Sequence, residues 1–216
     1  MANGSLEIDH VLIAVADLEA AAWDIESRHG LSSVEGGRHP DWGTANRIIP
    51  LGESYLELVA VVDQAAAAGS AFGRWVAGAD PARGGPIGWA ARTHEIDGVA
   101  RRLGLTIHAG SRVTASGDRL RWRSAGIERA AVEPSLPFFI EWEPTAPFPG
   151  RAGVSHRGGP VEIARLVLDG DVARLVAWLG NDGLPVEVRP GPPAVASLVL
   201  RGLSGEIVLG ADRARP

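Results

Sequence analysis

The chain has 216 residues, of which 45% are hydrophobic and 22% charged, with a net charge of −5. That length suits one large domain or two small ones, and the composition is that of a chain with a real core, not a disordered one. Cysteine is absent and all 21 basic residues are arginine. This excludes disulfides, thiolate metal sites, cysteine nucleophiles, Schiff-base lysines and the lysine of a phosphate-binding P-loop.

Ile8 to Val15 are apolar and rich in branched side chains, which predicts a buried strand. Asp17 is a good N-cap. Leu18, Ala21, Ala22 and Ile25 follow at helical spacing, and Gly30 is placed to end that helix. Extended stretches come next near Ser33–Gly36, Ala45–Pro50 and Ser54–Val62. From Pro86 the same order returns. A strand spans Ile87–Thr93, and a helix from Glu95 to Leu103 is closed by Gly104. Strands follow at Thr106–Ala109, Arg119–Ser124 and Phe138–Glu143.

The repetition extends to single residues. Gly30-Leu31 matches Gly104-Leu105, Arg38 matches Arg112, Gly43 matches Gly117 and Gly52 matches Gly126, each pair 74 positions apart. The last strands, Tyr55–Leu58 and Phe139–Trp142, are 84 apart, which puts ten extra residues in a loop over Ile127–Pro137. A third copy of the element order follows, with a strand at Val161–Leu168 and a helix from Asp171 to Leu179. Short strands then come at Pro185–Arg189, Ala196–Arg201 and Glu206–Leu209. The expected organisation is a pair of units over 1–143 (about 6–63 and 84–143), a Pro/Gly-rich linker over 144–160, and a third, smaller β-α-β-β-β unit over 161–216.

This order, with the segments IDHVLIAVADLEAA, GGRHPDWGTANRIIPLG, YLELVAVVD, GWAART, LRWRSAG and PFFIEWE, resembles the vicinal oxygen chelate superfamily. That superfamily includes glyoxalase I, extradiol dioxygenases, some epimerases and the bleomycin-resistance proteins. More narrowly, the chain is similar to glyoxalase-like domain proteins. The resemblance implies an α+β fold in which β-α-β-β-β units curl mixed sheets into a cup. It also implies a divalent metal on the cup floor (zinc, nickel, cobalt, manganese or iron), held by His and Glu from the first and last strands of each unit.

Carried over residue by residue, the resemblance puts His10, Glu57 and Glu141 at metal-ligand positions, with Glu57 and Glu141 also available for proton transfer. The fourth position falls on Gly88, which cannot ligate. A metal-free cup that binds its ligand directly is therefore the alternative. Thr44, Asn46 and Arg38 are candidate substrate-binding groups, with Arg112 equivalent to Arg38 as an anion clamp. Trp122 and Trp142 are candidate aromatic walls, and Trp89 falls on a strand of the same unit. His39 could swing in as a replacement ligand, and Glu143 shares a strand face with Glu141.

Two functional expectations follow. One is a lyase or isomerase acting on a small carbonyl or hydroxy-carbonyl compound through a metal-stabilised enediolate. The other is a metal-free protein that binds or sequesters an aromatic small molecule. An extradiol-type dioxygenase wants two His and one carboxylate, and only His10 is in place. The partner is expected to be a small molecule, not nucleic acid, because the net charge is negative and no block of like charges exists; the nearest thing to a basic stripe is Arg119, Arg121 and Arg123, which alternate as one strand face would. No run approaches the roughly 18–20 apolar residues of a membrane span, and MANGSLEIDH lacks the pattern of a signal peptide, so the location expected is cytoplasmic. An unpaired strand edge in the third unit favours a homodimer.

Overall fold

The computed structural model describes residues 6–114, 117, 119–144, 146–180 and 183–210. The first unit runs β1 (Glu7–Ala14), α1 (Leu18–His29), β2 (Val34–His39), β3 (Thr44–Pro50) and β4 (Tyr55–Val61). Asp17 caps α1 by accepting from the Ala20 N–H at 2.9 Å. Gly30 ends the helix in the left-handed region, where a side chain would be strained.

Two helices follow where the sequence reading left a bare connection: α2 (Gln64–Gly69) and α3 (Ala71–Gly78). Asp63 and Ser70 cap them, each accepting from the backbone N–H three residues on. The second unit is β5 (Gly88–Arg92), α4 (Ile96–Leu103), β6 (Ile107–Val113), β7 (Arg119–Ala125), α5 (Ile127–Val132) and β8 (Phe138–Trp142). The insertion expected as a loop over 127–137 thus contains α5.

The eight strands close into a barrel in the order β1-β4-β3-β2-β6-β7-β8-β5. Each unit supplies four neighbouring strands. One seam is the antiparallel β1–β5 ladder; at the other, β2 meets β6 only at Arg38 opposite Val113. Alternation along the strands sorts the apolar residues into two cores. Leu12, Val59, Ala90, Trp122, Phe138 and Ile140 face the barrel interior, where Phe72 and Val76 of α3 close over them. Val11, Ile13, Leu56, Leu58, Trp89 and Phe139 face outward beneath the helices and the third unit.

The third unit comprises β9 (Val161–Asp169), α6 (Val172–Leu179), β10 (Val186–Arg189), β11 (Ala194–Gly202) and β12 (Gly205–Gly210). Its element order is the expected one, but its wiring differs. The sheet runs β10-β9-β11-β12, and β10 returns directly beside β9 in parallel. In the first unit the strand parallel to β1 is the last one, β4. Residues 211–216 of this span lie outside the described residues.

The stretch between the units, expected as a linker, packs on the barrel. Phe148 stands 5.9 Å from the Tyr55 ring and 6.4 Å from that of Trp142, with the Arg92 guanidinium 4.2 Å over it. Among the described residues, no helix is long and apolar enough to cross a membrane.

Candidate functional site

The barrel interior narrows to a polar floor. His10 on β1 and Glu57 on β4 face inward, with His10 Nε2 3.4 Å from Glu57 Oε2. His10 is 3% exposed and Glu57 5%, so neither charge nor lone pair can be satisfied by bulk water. The partners are built in. Asp9 Oδ1 lies 2.6 Å from His10 Nδ1. A carboxylate only accepts, so Nδ1 carries the proton and Nε2 is turned toward Glu57. Asp9 Oδ2 accepts from Trp142 Nε1 at 2.9 Å, and the Arg92 guanidinium stands 3.8 Å away. Tyr55 stacks on the His10 ring, with centroids 4.7 Å apart. Burial first, then the charge of Asp9, push its phenol well above the ordinary 10.

A second polar chain leads away from Glu57. Asn46 Nδ2 donates to Glu57 Oε1 at 2.6 Å, and Asn46 Oδ1 accepts from Arg112 Nη1 at 3.2 Å. The register of β2 on β3 slips between Glu35 and Gly37, leaving Gly36 without a partner in the ladder. A Cβ on Gly36 would run into Asn46 Oδ1 and lie 2.7 Å from Arg112 Nη1. The bulge and the missing side chain together make room for this bond.

Above the floor the walls are aromatic. Trp42, Tyr55, Phe72, Trp122, Phe138 and Trp142 line a pocket together with His10, His39, Asn46, Glu57 and Arg112. That mix of aromatic walls and a polar floor suits a small planar ligand with one polar end. His39 sits among Trp42, Phe72 and Trp122, with ring centroids 5.4, 6.4 and 6.0 Å away. Its Nδ1 is 3.0 Å from Thr44 Oγ1. Burial lowers its pKa from 6.5 to about 4, so it is a neutral imidazole at neutral pH.

The sequence-predicted residues divide cleanly. His10, Glu57, Asn46, Trp122 and Trp142 meet in the pocket. Thr44 is buried beside it, holding His39. Glu141 does not join them. On β8 the inward residues are Phe138, Ile140 and Trp142, so the pleat sends Glu141 outward. There it pairs with Arg123 and accepts from the Ile96 N–H at the start of α4. Glu143 is exposed beyond the end of β8. Arg38 is also a correction. It is exposed, one step out of phase with the buried Arg112 of the neighbouring strand. Trp89 faces the outer core, donating to Ser135 O at 3.2 Å.

These placements decide the fit of a metal. The inward positions on the first and last strands of the second unit include Gly88, Ala90, Phe138, Ile140 and Trp142, none of which is a metal donor. Gly88 is further committed to packing, since a Cβ there would collide with the Trp75 ring. Among the described residues, no three His, Asp or Glu side chains are placed to hold a metal ion. The side chains present do not fit the four-donor set that the resemblance implies.

Asp9, Trp42 and Phe72 were not anticipated. Asp9 is one residue from His10, which in a regular strand would point the other way. Trp42 and Phe72 come from connections between strands.

A profile described as a glyoxalase-like domain matches residues 8–182. A search of curated proteins finds no match. Among solved structures, a hypothetical protein from Staphylococcus aureus is similar over 91% of each chain, with a TM-score of 0.71 at 16% identity. Methylmalonyl-CoA epimerase from Mycobacterium tuberculosis gives a TM-score of 0.47 at 22% identity, over 68% of this chain and 93% of that one. The Streptomyces coelicolor epimerase in complex with 2-nitronate-propionyl-CoA gives 0.46 at 20%, over 67% and 100%. At such identities these likenesses concern the fold.

Proposed function

The chain belongs to the glyoxalase-like domain family of the vicinal oxygen chelate superfamily, and on that premise we propose that its barrel binds a small aromatic carbonyl compound and moves a proton on it without a metal ion. The observation that carries this is the placement of Glu57 at the floor of an aromatic cup. Asn46 holds one of its oxygens and His10 faces the other. Glu57 is the base: it takes a proton from the carbon next to the ligand's carbonyl and returns it to carbon or oxygen. The C–H bond breaks, an O–H bond forms on Glu57 and the electron pair moves to the carbonyl oxygen. Returning the proton completes a tautomerisation or an inversion with no oxidant or reductant. His10, its Nδ1–H held by Asp9, turns Nε2 toward Glu57 and accepts a hydrogen bond from that carboxyl once it has taken the proton. A placed base of this kind contributes about 10²–10⁴-fold.

Phenylacetone, which carries no charge, is a suitable probe, and exchange of its benzylic hydrogens with deuterium oxide is followed by proton NMR in the presence of EDTA. The expected result is exchange faster than in buffer, unaffected by EDTA, and reduced at least about 100-fold in Glu57→Gln. Exchange that depends on added zinc, or that persists in Glu57→Gln, overturns the proposal. Binding seen by tryptophan fluorescence without exchange would support the second reading, a sequestering protein, which the six aromatic side chains of the pocket favour. The outer edges of β10 and β12 have no partner strand among the described residues, which supports self-association as a homodimer.

A further inference from the structure

Among the described residues no three metal-donor side chains converge in the cup, but it contains a fixed cation of its own. Arg112 is 5% exposed and lines the same pocket as Glu57. Burying a guanidinium is expensive unless an opposite charge compensates it. Here that charge is Glu57, but the two do not pair directly: the Asn46 amide lies between them, donating to the carboxylate and accepting from the guanidinium. The charge of Arg112 also reaches the walls, where it opposes protonation of His39 and favours ionisation of Tyr55.

We infer that Arg112 does the work of the missing metal: it holds the ligand oxygen on which negative charge develops. The ligand class is a small aromatic carbonyl compound that is neutral on arrival and enolate-like once deprotonated. This inference rests on Glu57 being the base, as proposed above. Before proton transfer the charges of Arg112 and Glu57 balance across Asn46, and an anionic ligand would be repelled by Glu57. After transfer Glu57 is neutral, its charge has passed to the ligand oxygen, and Arg112 faces that oxygen. The net charge of the buried cup is the same at both stages, so no ion has to enter or leave. Donors aimed at developing charge in a water-poor site stabilise it far more than they would in water.

Glu57→Gln imitates the protonated base and isolates this effect from turnover. The probes are benzoate and its neutral isostere benzamide, titrated against tryptophan fluorescence at pH 7 with EDTA present. Glu57→Gln is expected to bind benzoate at least 10-fold more tightly than the unaltered protein, with benzamide affinity changed less than 3-fold. Adding Arg112→Gln is expected to erase the gain. No tightening in Glu57→Gln overturns the inference on its own, even if the double variant fails to fold. A gain that survives Arg112→Gln overturns it as well. Phenylacetone exchange separates the two ideas: metal-independent exchange without benzoate tightening leaves the base assignment standing and removes Arg112 from its role. Benzoate tightening that needs Arg112, without exchange, supports the cation and removes the base.

Discussion

Asp9 Oδ1 lies 2.6 Å from Nδ1 of His10, the very next residue on β1. In a regular strand the two would point to opposite faces. They do not because the β1–β5 register slips between Ile8 and His10, which leaves Asp9 unpaired in the ladder and turns its side chain under the barrel floor. There it receives both His10 and the Trp142 indole N–H. Asp9→Ala leaves two donors, the buried His10 Nδ1–H and the half-buried Trp142 Nε1–H, without an acceptor. At about 1–3 kcal/mol for each such group, unfolding free energy in urea should drop by about 2–6 kcal/mol. Asp9→Asn keeps an acceptor oxygen and should lose less. Equal urea midpoints for Asp9→Ala and the parent would contradict this account.

The Gly36 bulge carries a similar test. A Cβ at this position would occupy the space in which the Asn46 amide meets the Arg112 guanidinium. Gly36→Ala pushes the amide aside and separates Arg112 from Glu57. Overpacking of this kind costs about 1–3 kcal/mol, and ligand affinity should fall at least 10-fold because the polar floor is rearranged. Tryptophan fluorescence titration with benzamide reads the second effect. Unchanged affinity would mean that Asn46 does not set the floor.

Glu141 offers the complementary expectation. Its carboxylate lies outside the barrel against Arg123, whose side chain is 43% exposed. Exposed ion pairs contribute about 0–1 kcal/mol. Glu141→Gln should therefore leave ligand binding and phenylacetone exchange within 2-fold of the parent. A loss as large as that of Glu57→Gln would return Glu141 to the site.

The contrast between Glu57 and Glu141 shows what the sequence made legible and why the rest was hidden. The duplicated order of strand, helix and three strands is written in hydrophobic periodicity and in glycines at fixed offset. It suffices to bring His10 and Glu57 to one floor. A side chain's face, however, depends on register, and one residue of slip inverts it. Aligning Glu141 with Glu57 shifts β8 by one position relative to the observed pleat, in which Ile140 points inward. Arg38 and Arg112 fail as equivalents for the same reason. Asp9 is the converse case, brought to the floor by a bulge that no pattern of alternation announces. The helices α2 and α3 were hidden because short, alanine-rich stretches between repeats read as connection. Yet they supply Phe72 to the pocket wall and Trp75 against Gly88.

His39 gives a prediction in pH. Burial holds its pKa at about 4 against an ordinary 6.5. The folded protein therefore keeps the imidazole neutral at pH values where the unfolded chain has already taken up a proton. Stability is complete above the unfolded value and declines as pH falls from 6.5 toward 4, because each step downward favours the state that binds the proton. For one proton the slope approaches about 1.4 kcal/mol per pH unit, or about 2 kcal/mol between pH 7 and pH 5. His39→Gln keeps a polar partner for Thr44 and cannot titrate in this range. It should be less stable than the parent at pH 7, with the gap narrowing by about 2 kcal/mol at pH 5. Urea unfolding of both proteins at pH 7, 6 and 5 measures the gap directly, since groups that titrate alike in both cancel. Parallel curves across that range would mean that His39 is solvated and does not sit as a neutral ring in the aromatic wall.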